Sequence, residues 1–284
     1  MRLSADLPRL APDPVIGTLD APGAWRARAE LRAGIEARWP EVADGEAIAG
    51  LPADVQALWR RLDRADAALH RRLRAAVRAG AGPRLLEHWR AETEAPPGGE
   101  GYDALDELVA GVLRSPDPGE VPALPPEMVF YQPTPARHVL DMLLRLNLHA
   151  GDVLVDLGAG LGHVPLLAAA CTAARAVGIE IAPAYVASAR SAARALGLDR
   201  AHFLAQDARA ADLSTGTVFF LYTPFRGTVL RAMLDALRAE AAHRNLRLCS
   251  FGPCTLALAD EPWLRTDAPP VADRVALFHA GPAA

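Results

Sequence analysis

Lysine is missing from this 284-residue chain: all 30 of its basic residues are arginine, and alanine is used heavily. That bias reads as GC-rich codon usage and says little about chemistry. A strong charge of either sign is also missing. The formal charge of -4 gives no global field that would draw the whole molecule onto nucleic acid or an anionic membrane, so any basic surface must be local. Only three cysteines occur, Cys171, Cys249 and Cys254. Their number is odd and none shows CxxC spacing, which argues against a disulfide framework and a zinc site; no metal is expected, and a reducing cytoplasm fits best. Long apolar runs are absent as well. No stretch of about 18 uncharged apolar residues appears, since the best candidate, 164–179, is broken by Arg175. The opening "MRLSADLPRLAPDP" has no apolar core of a signal peptide, so neither a membrane segment nor a leader is expected.

Residues 1–125 lack strand signals and read as helices joined by Pro/Gly-rich turns. The first helix is expected over 22–39, with Ala24, Ala27, Leu31, Ile35 and Trp39 at helical steps and Pro40 as its stop. A second, over 53–78, places Val55, Leu58, Leu62, Leu69, Leu73 and Val77 on one stripe and Arg60, Arg64, Arg71 and Arg78 opposite, as on a solvated face. Two shorter helices are expected over 83–91 and 102–114, separated by "ETEAPPGGEG". The four tryptophans of this region, Trp25, Trp39, Trp59 and Trp89, suit core positions better than a ligand cage. "SPDPGEVPALPPE", 115–127, reads as the linker out of this region, which divides the chain into a helical cap or substrate-recognition region, 1–125, and a second domain, 126–284.

After the linker, strands and helices alternate. A helix begins at Thr134 as N-cap with Pro135 in its first turn. Strands are expected over 153–157, 176–181, 202–205, 217–222 and 246–251, with helices over 163–172, 184–196 and 228–242 between them; 263–266 and 275–279 suit a closing antiparallel pair. Nearly continuous apolar strands predict a doubly wound α/β fold, a mostly parallel sheet of seven strands covered on both faces.

"LVDLGAGLGH" ends the first of these strands in a glycine turn leading into a helix, the place where such folds bind ligands. Glycines there let the main chain approach a ligand, and the helix start offers free N–H groups. The spacing is Gly158, Gly160, Gly162, with His163 where a dinucleotide fingerprint places its third glycine, and Asp156 stands just before the loop; both argue against an NAD or FAD enzyme. Glu180, in "AVGIEI", ends the next strand, where a carboxylate can accept two hydrogen bonds from ribose hydroxyls. Asp207, in "AQDAR", follows the third, where it can accept from an adenine amine. Each alone could be an ordinary polar strand end. Together they suit a ligand combining adenosine, ribose and positive charge, and they suit few polyphosphates.

In order and spacing, "VDLGAGLG", "GIEI" and "AQDAR" resemble motifs I, post-I and II of the class I S-adenosylmethionine-dependent methyltransferases, over roughly residues 128–281. The resemblance implies a Rossmann-like domain with S-adenosyl-L-methionine as cofactor. Asp156, Gly158, Gly160 and Gly162 would flank its methionine part, Glu180 would hold the ribose, and Asp207 with Ala208 would meet the adenine. Upstream, "MVFYQPTPARHVLDML" resembles the approach to motif I in lysine methyltransferases of the disruptor-of-telomeric-silencing type, which implies that Tyr131 and Thr134 close over the methionine end.

The fourth strand ends in "FLYTPF". Amino-methyltransferases acting on bases carry an Asn/Asp-Pro-Pro-aromatic tetrad there; this chain keeps Pro224 and Phe225, with Tyr222 in place of the amide or carboxylate, so nucleic acid is not the expected acceptor. Tyr131 and Tyr222 are the expected catalytic residues, with His138 and Glu127 as further candidate bases, and His138 is also compatible with a plain surface position. The expected acceptor is a protein side-chain amine ahead of a small molecule. A regulatory protein that binds the cofactor without turnover is the alternative. Sequence does not decide the oligomeric state.

Overall fold

The computed structural model describes residues 18–42, 48–91, 98–121 and 125–282. The N-terminal segment judged above to lack a leader, the first part of "ETEAPPGGEG" (92–97) and residues 122–124 of the expected linker lie outside them. Among the described residues no helix is long and apolar enough to cross a membrane.

The chain divides into two compact units, one formed by Met1–Ala75 with Tyr102–Val112, the other by Ala76–Gly101 with Leu113–Ala284. This division differs from the expected boundary at 125/126, because residues 76–101 belong with the sheet.

In the first unit, a 3-10 turn at Pro22–Ala24 leads into α1 (Trp25–Arg38), followed by α2 (Ala53–Arg78), which runs on into the second unit. Its apolar stripe is as expected: Val55, Leu58, Leu62 and Leu69 are buried, Leu73 and Val77 half-buried, and Arg60, Arg64, Arg71 and Arg78 exposed. Val55, Leu58, Trp59 and Leu62 form a core with Leu19, Leu31 and Ile35. Of the four tryptophans in residues 1–125, Trp59 and, in the second unit, Trp89 are buried, and Trp25 and Trp39 are half-buried. Arg28 is 1% exposed and donates to the carbonyls of Leu19 and Ala21, both at 2.9 Å, while its Nε bonds Asp66. A buried guanidinium is tolerable only with partners of this kind.

The second unit contains α3 (Gly82–Ala91), α5 (Ala136–Leu146) and then β1 (Val153–Leu157), α6 (His163–Cys171), β2 (Arg175–Glu180), α7 (Pro183–Leu196), β3 (Ala201–Ala205), β4 (Val218–Tyr222), α8 (Gly227–Ala241), β5 (Leu246–Phe251), α9 (Cys254–Ala259) and β6 (Ala276–Ala280); α4 (Ala104–Leu113) lies almost wholly in the first unit. The sheet order is β3-β2-β1-β4-β5-β6, parallel throughout except for β6. All five residues of β1 are buried, as a strand covered on both faces requires. On β4, Phe219 and Phe220 are at most 1% exposed; burial of each side chain stabilises the fold by about 1.5–3 kcal/mol.

The fold class is the expected one, with three corrections. The sheet has six strands, because the stretch expected as a strand over 263–266 makes only an isolated bridge, Arg265 to His279. The N-cap of α5 is Pro135, without a side-chain cap, so Thr134 lies before the helix; proline's fixed φ serves the entry instead. His138 is wholly buried, with Nε2 2.7 Å from the Gly99 carbonyl and its ring against Phe251, and so is no surface residue.

Candidate active site

The sheet reverses its winding between β1 and β4, and the crevice beyond the carboxyl ends of such strands is where this architecture binds ligands. A cavity of about 350 Å³ opens there, wholly within the second unit.

Its floor is the turn after β1. Gly158, Gly160 and Gly162 have φ of +87°, +52° and +78°, which a side chain would strain. Each also admits a different neighbour. A Cβ on Gly158 would lie 2.4 Å from Pro224 Cβ, on Gly160 2.0 Å from the Tyr131 ring, and on Gly162 2.4 Å from the Phe203 ring. Gly158 lines the cavity, whereas Gly160 lies under Tyr131 and Gly162 caps α6 and packs toward β3. Of the three expected glycines, therefore, two serve the walls around the cavity and one faces into it.

Asp156 and Glu180 end adjacent parallel strands and both line the cavity, at 5% and 8% exposure. Glu180 also holds the loop together: Oε2 accepts the Gly160 N–H and Oε1 the Ala182 N–H, both at 2.8 Å. Burial, and then the charge of Glu180, push the Asp156 carboxyl well above the ordinary carboxylate range. Two carboxyl groups lining one cavity form a place where a cation is stabilised.

Asp207 departs from expectation. Ala208 and the neighbouring Gln206 line the cavity, but Asp207 does not. Its carboxylate accepts the Arg209 N–H at 2.9 Å, capping a 3-10 turn, and pairs with the Arg209 guanidinium at 2.6 Å, which holds its pKa low. In this structure the carboxylate is turned onto its own 3-10 turn, outside the cavity lining.

On the opposite side, Tyr131 and Thr134 line the cavity. The Tyr131 ring lies on Gly160, 5.2 Å from the Tyr185 ring, with its hydroxyl 3.3 Å from His163 Nδ1. His163 opens α6 and lines the cavity too; burial pulls its pKa down to about 4, so the ring is neutral near pH 7. Neither His163 nor Tyr185 stood among the expected site residues, although His163 was conspicuous as the residue in place of a third glycine.

The end of β4 brings Tyr222, Thr223, Pro224 and Phe225 to the cavity. Tyr222 packs against Phe251 at 4.7 Å. Thr223 has φ +38°, an uncommon conformation for a β-branched residue, fastened by its hydroxyl to the Phe251 carbonyl (3.2 Å) and the Cys254 N–H (3.1 Å). Residues 127–129 pair with 224–226, through Val129 N–H to the Pro224 carbonyl and Arg226 N–H to the Glu127 carbonyl, so the approach to Tyr131 is tied to the exit of β4. Phe130, 72% exposed, stands at the rim. The two other candidate bases lie outside the lining. Glu127 caps α8, accepting from Thr228 Oγ1 at 2.7 Å and Val229 N–H at 3.2 Å, and His138 bonds the Gly99 carbonyl. No cluster of metal ligands occurs among the described residues.

Residues 148–219, from just before β1 into β4, match a family model described as a methyltransferase domain. The matched segment runs through the glycine turn and the first strands of the doubly wound α/β sheet, and spans about a quarter of the chain. Among solved structures, the chain is similar to an RNA methyltransferase of Salinibacter ruber in complex with S-adenosyl-L-homocysteine, at 29% identity over 53% of this chain and 94% of that one, TM-score 0.45. A putative methyltransferase of Escherichia coli shows 20% identity over 57% and 92%, TM-score 0.44. A precorrin-6y C5,15-methyltransferase of Geobacter metallireducens shows 18% over 57% and 94%, TM-score 0.41. No curated protein matches the chain.

Proposed function

We propose that this protein is an S-adenosylmethionine-dependent methyltransferase acting on an amine, a protein side-chain amine ahead of a small molecule. The observation that carries the cofactor assignment is the meeting of Asp156 and Glu180 in one cavity beside Gly158. Carboxyl groups at that depth favour a ligand bearing positive charge and hydroxyl donors and disfavour polyphosphates. Glu180 keeps further lone pairs for ribose hydroxyls beyond its two backbone bonds. Ala208 and Gln206 supply the wall for the base.

When bound, S-adenosylmethionine supplies an electrophilic methyl group for in-line displacement. What the chain contributes is position and dryness. Tyr131 and Thr134 cover one side, and Tyr222, Pro224 and Phe225 wall the side open to an acceptor. The amine reading follows from what borders that space. Glu127 and His138 are occupied elsewhere, so neither offers the base that an oxygen acceptor usually needs, whereas an amine needs only to release its proton before attack. The apolar rim of Met128 and Phe130 suits the alkyl stem of a side chain. This reading rests on the cavity; the resemblance to the disruptor-of-telomeric-silencing type finds no support in the matched family or the structures named above.

The test is incubation with methyl-labelled donor and fractionated lysate. Label entering protein and surviving base treatment supports the proposal; label in RNA or lipid contradicts the acceptor. Titration that binds donor while no fraction ever accepts label indicates the regulatory alternative. Tyr222→Phe should keep cofactor binding and lose turnover, and Tyr131→Phe should bind cofactor nearly as well, within a few-fold, and lose turnover; wild-type rates in both would leave their hydroxyls structural.

A further inference from the structure

His163 does more in this structure than fill the place of a glycine. It is the first residue of α6, lines the cavity, and has Tyr131 on one ring nitrogen. The first-turn N–H groups of a helix lack intrahelical partners and favour anions, but Pro165 removes one of them here. Among the described hydrogen bonds His163 Nε2 has no protein partner, and His163 lines the cavity.

We propose that His163 is a positioning residue that donates from Nε2 to the carboxylate at the amino-acid end of the bound sulfonium nucleoside, with the Tyr131 hydroxyl fixing the ring by donating to Nδ1. This rests on the cofactor reading above. The tautomer follows from the Tyr131 contact. A phenol is the stronger acid and imidazole nitrogen the stronger base, so the hydroxyl donates to Nδ1 and the single ring proton resides on Nε2. The neutral state of the ring, favoured by its burial, makes this division obligatory, since only one nitrogen can then carry a proton. A protonated Nε2 on a residue that lines the cavity at a helix start is an available donor, and an anion is the natural partner for it. The donor also couples two parts of the site. Tyr131 lies across Gly160, so the ring that covers the glycine turn is the one that sets the imidazole.

The experiment compares two ligands by calorimetry: S-adenosylhomocysteine, which has the amino-acid end, and 5′-methylthioadenosine, which shares the nucleoside and lacks it. His163→Leu should weaken the first by roughly 10- to 100-fold and leave the second within about twofold. His163→Gln, which keeps an N–H, should recover part of the loss. Tyr131→Phe should weaken the first ligand by a smaller factor and spare the second. Equal losses on both ligands, or no loss on either, overturn the proposal. Should His163→Leu fail to fold, the same comparison on His163→Gln decides, with an unchanged ratio of the two affinities counting against it. In the wild-type chain, two-bond ¹H–¹⁵N spectra should show the Nε2–H tautomer; an Nδ1–H tautomer overturns it. A wild-type chain that binds neither ligand overturns the cofactor reading itself, which is seen before any substitution is made.

Discussion

The backbone N–H of Gly160 donates to Glu180 Oε2 at 2.8 Å, so the side chain expected to hold a ribose also fastens the glycine turn. With the Ala182 N–H on its other oxygen, Glu180 joins the exits of β1 and β2 before any ligand arrives. Glu180→Ala should therefore act twice. Loss of charge-assisted bonds to two backbone donors should destabilise the fold by about 1.5–3 kcal/mol, and affinity for S-adenosylhomocysteine should fall by more than about tenfold. A thermal melt beside calorimetry reads both; an unchanged affinity would remove Glu180 from the cofactor's contacts.

Asp156→Asn should separate stability from binding. Burial and Glu180 raise the folded-state pKa above the unfolded value of 3.8, so the native chain binds this proton more tightly than the unfolded one. The resulting cost to stability grows as pH rises through that window and is complete above the folded value. Removing the ionisable group should thus raise the melting temperature near pH 7, with the gain vanishing toward pH 3, while affinity for the cationic cofactor falls by roughly tenfold. A destabilised variant at pH 7 would contradict this account.

Gly160→Ala should be harmful in a way that Tyr131 controls. The new Cβ would stand 2.0 Å from the Tyr131 ring at a φ of +52°. In Tyr131→Ala the steric part disappears and only the backbone strain remains, about 1–2 kcal/mol. A double-mutant cycle should accordingly show a coupling of at least about 1 kcal/mol in melts; additivity would mean that the two residues do not touch.

The three cysteines should be inert in the native chain. All are buried, and burial pushes Cys171 and Cys249 up to about 12 and also raises Cys254. Thiolate is then scarce near pH 7. Iodoacetamide should modify none of the three under native conditions and all of them in denaturant, as counted by mass spectrometry.

Where local pattern dominates, the elements are as the sequence predicts. β1 and β5 have the expected bounds because their apolar runs end in turn residues, and α2 does because its stripe persists from Val55 to Val77. The short α9, Cys254–Ala259, was not foreseen, since six residues are too few to show a helical period. Within the site, Asp156, Gly158, Glu180 and Ala208 reach the cavity as their motif spacing implies, because each lies at or just beyond the carboxyl end of a strand whose register fixes its position. Asp207 does not, because its partner Arg209 stands only two residues away and a local ion pair carries no periodic signature. The contacts of His138 with Gly99 and of His163 with Tyr131 bridge long stretches of sequence and exist only once the chain has folded.

Gly82 opens α3 so close to α6 that a Cβ there would fall 1.8 Å from the Ala170 carbonyl oxygen. Dissection of this protein into portable pieces is constrained by that approach. A fragment beginning at residue 126 would carry every motif of the glycine turn yet leave α6, the helix that His163 opens, stripped of a neighbour and its Ala170 edge open to water. An excised catalytic module worth expressing would start upstream of Gly82, and grafting this cavity onto another scaffold would require α3 to travel with it.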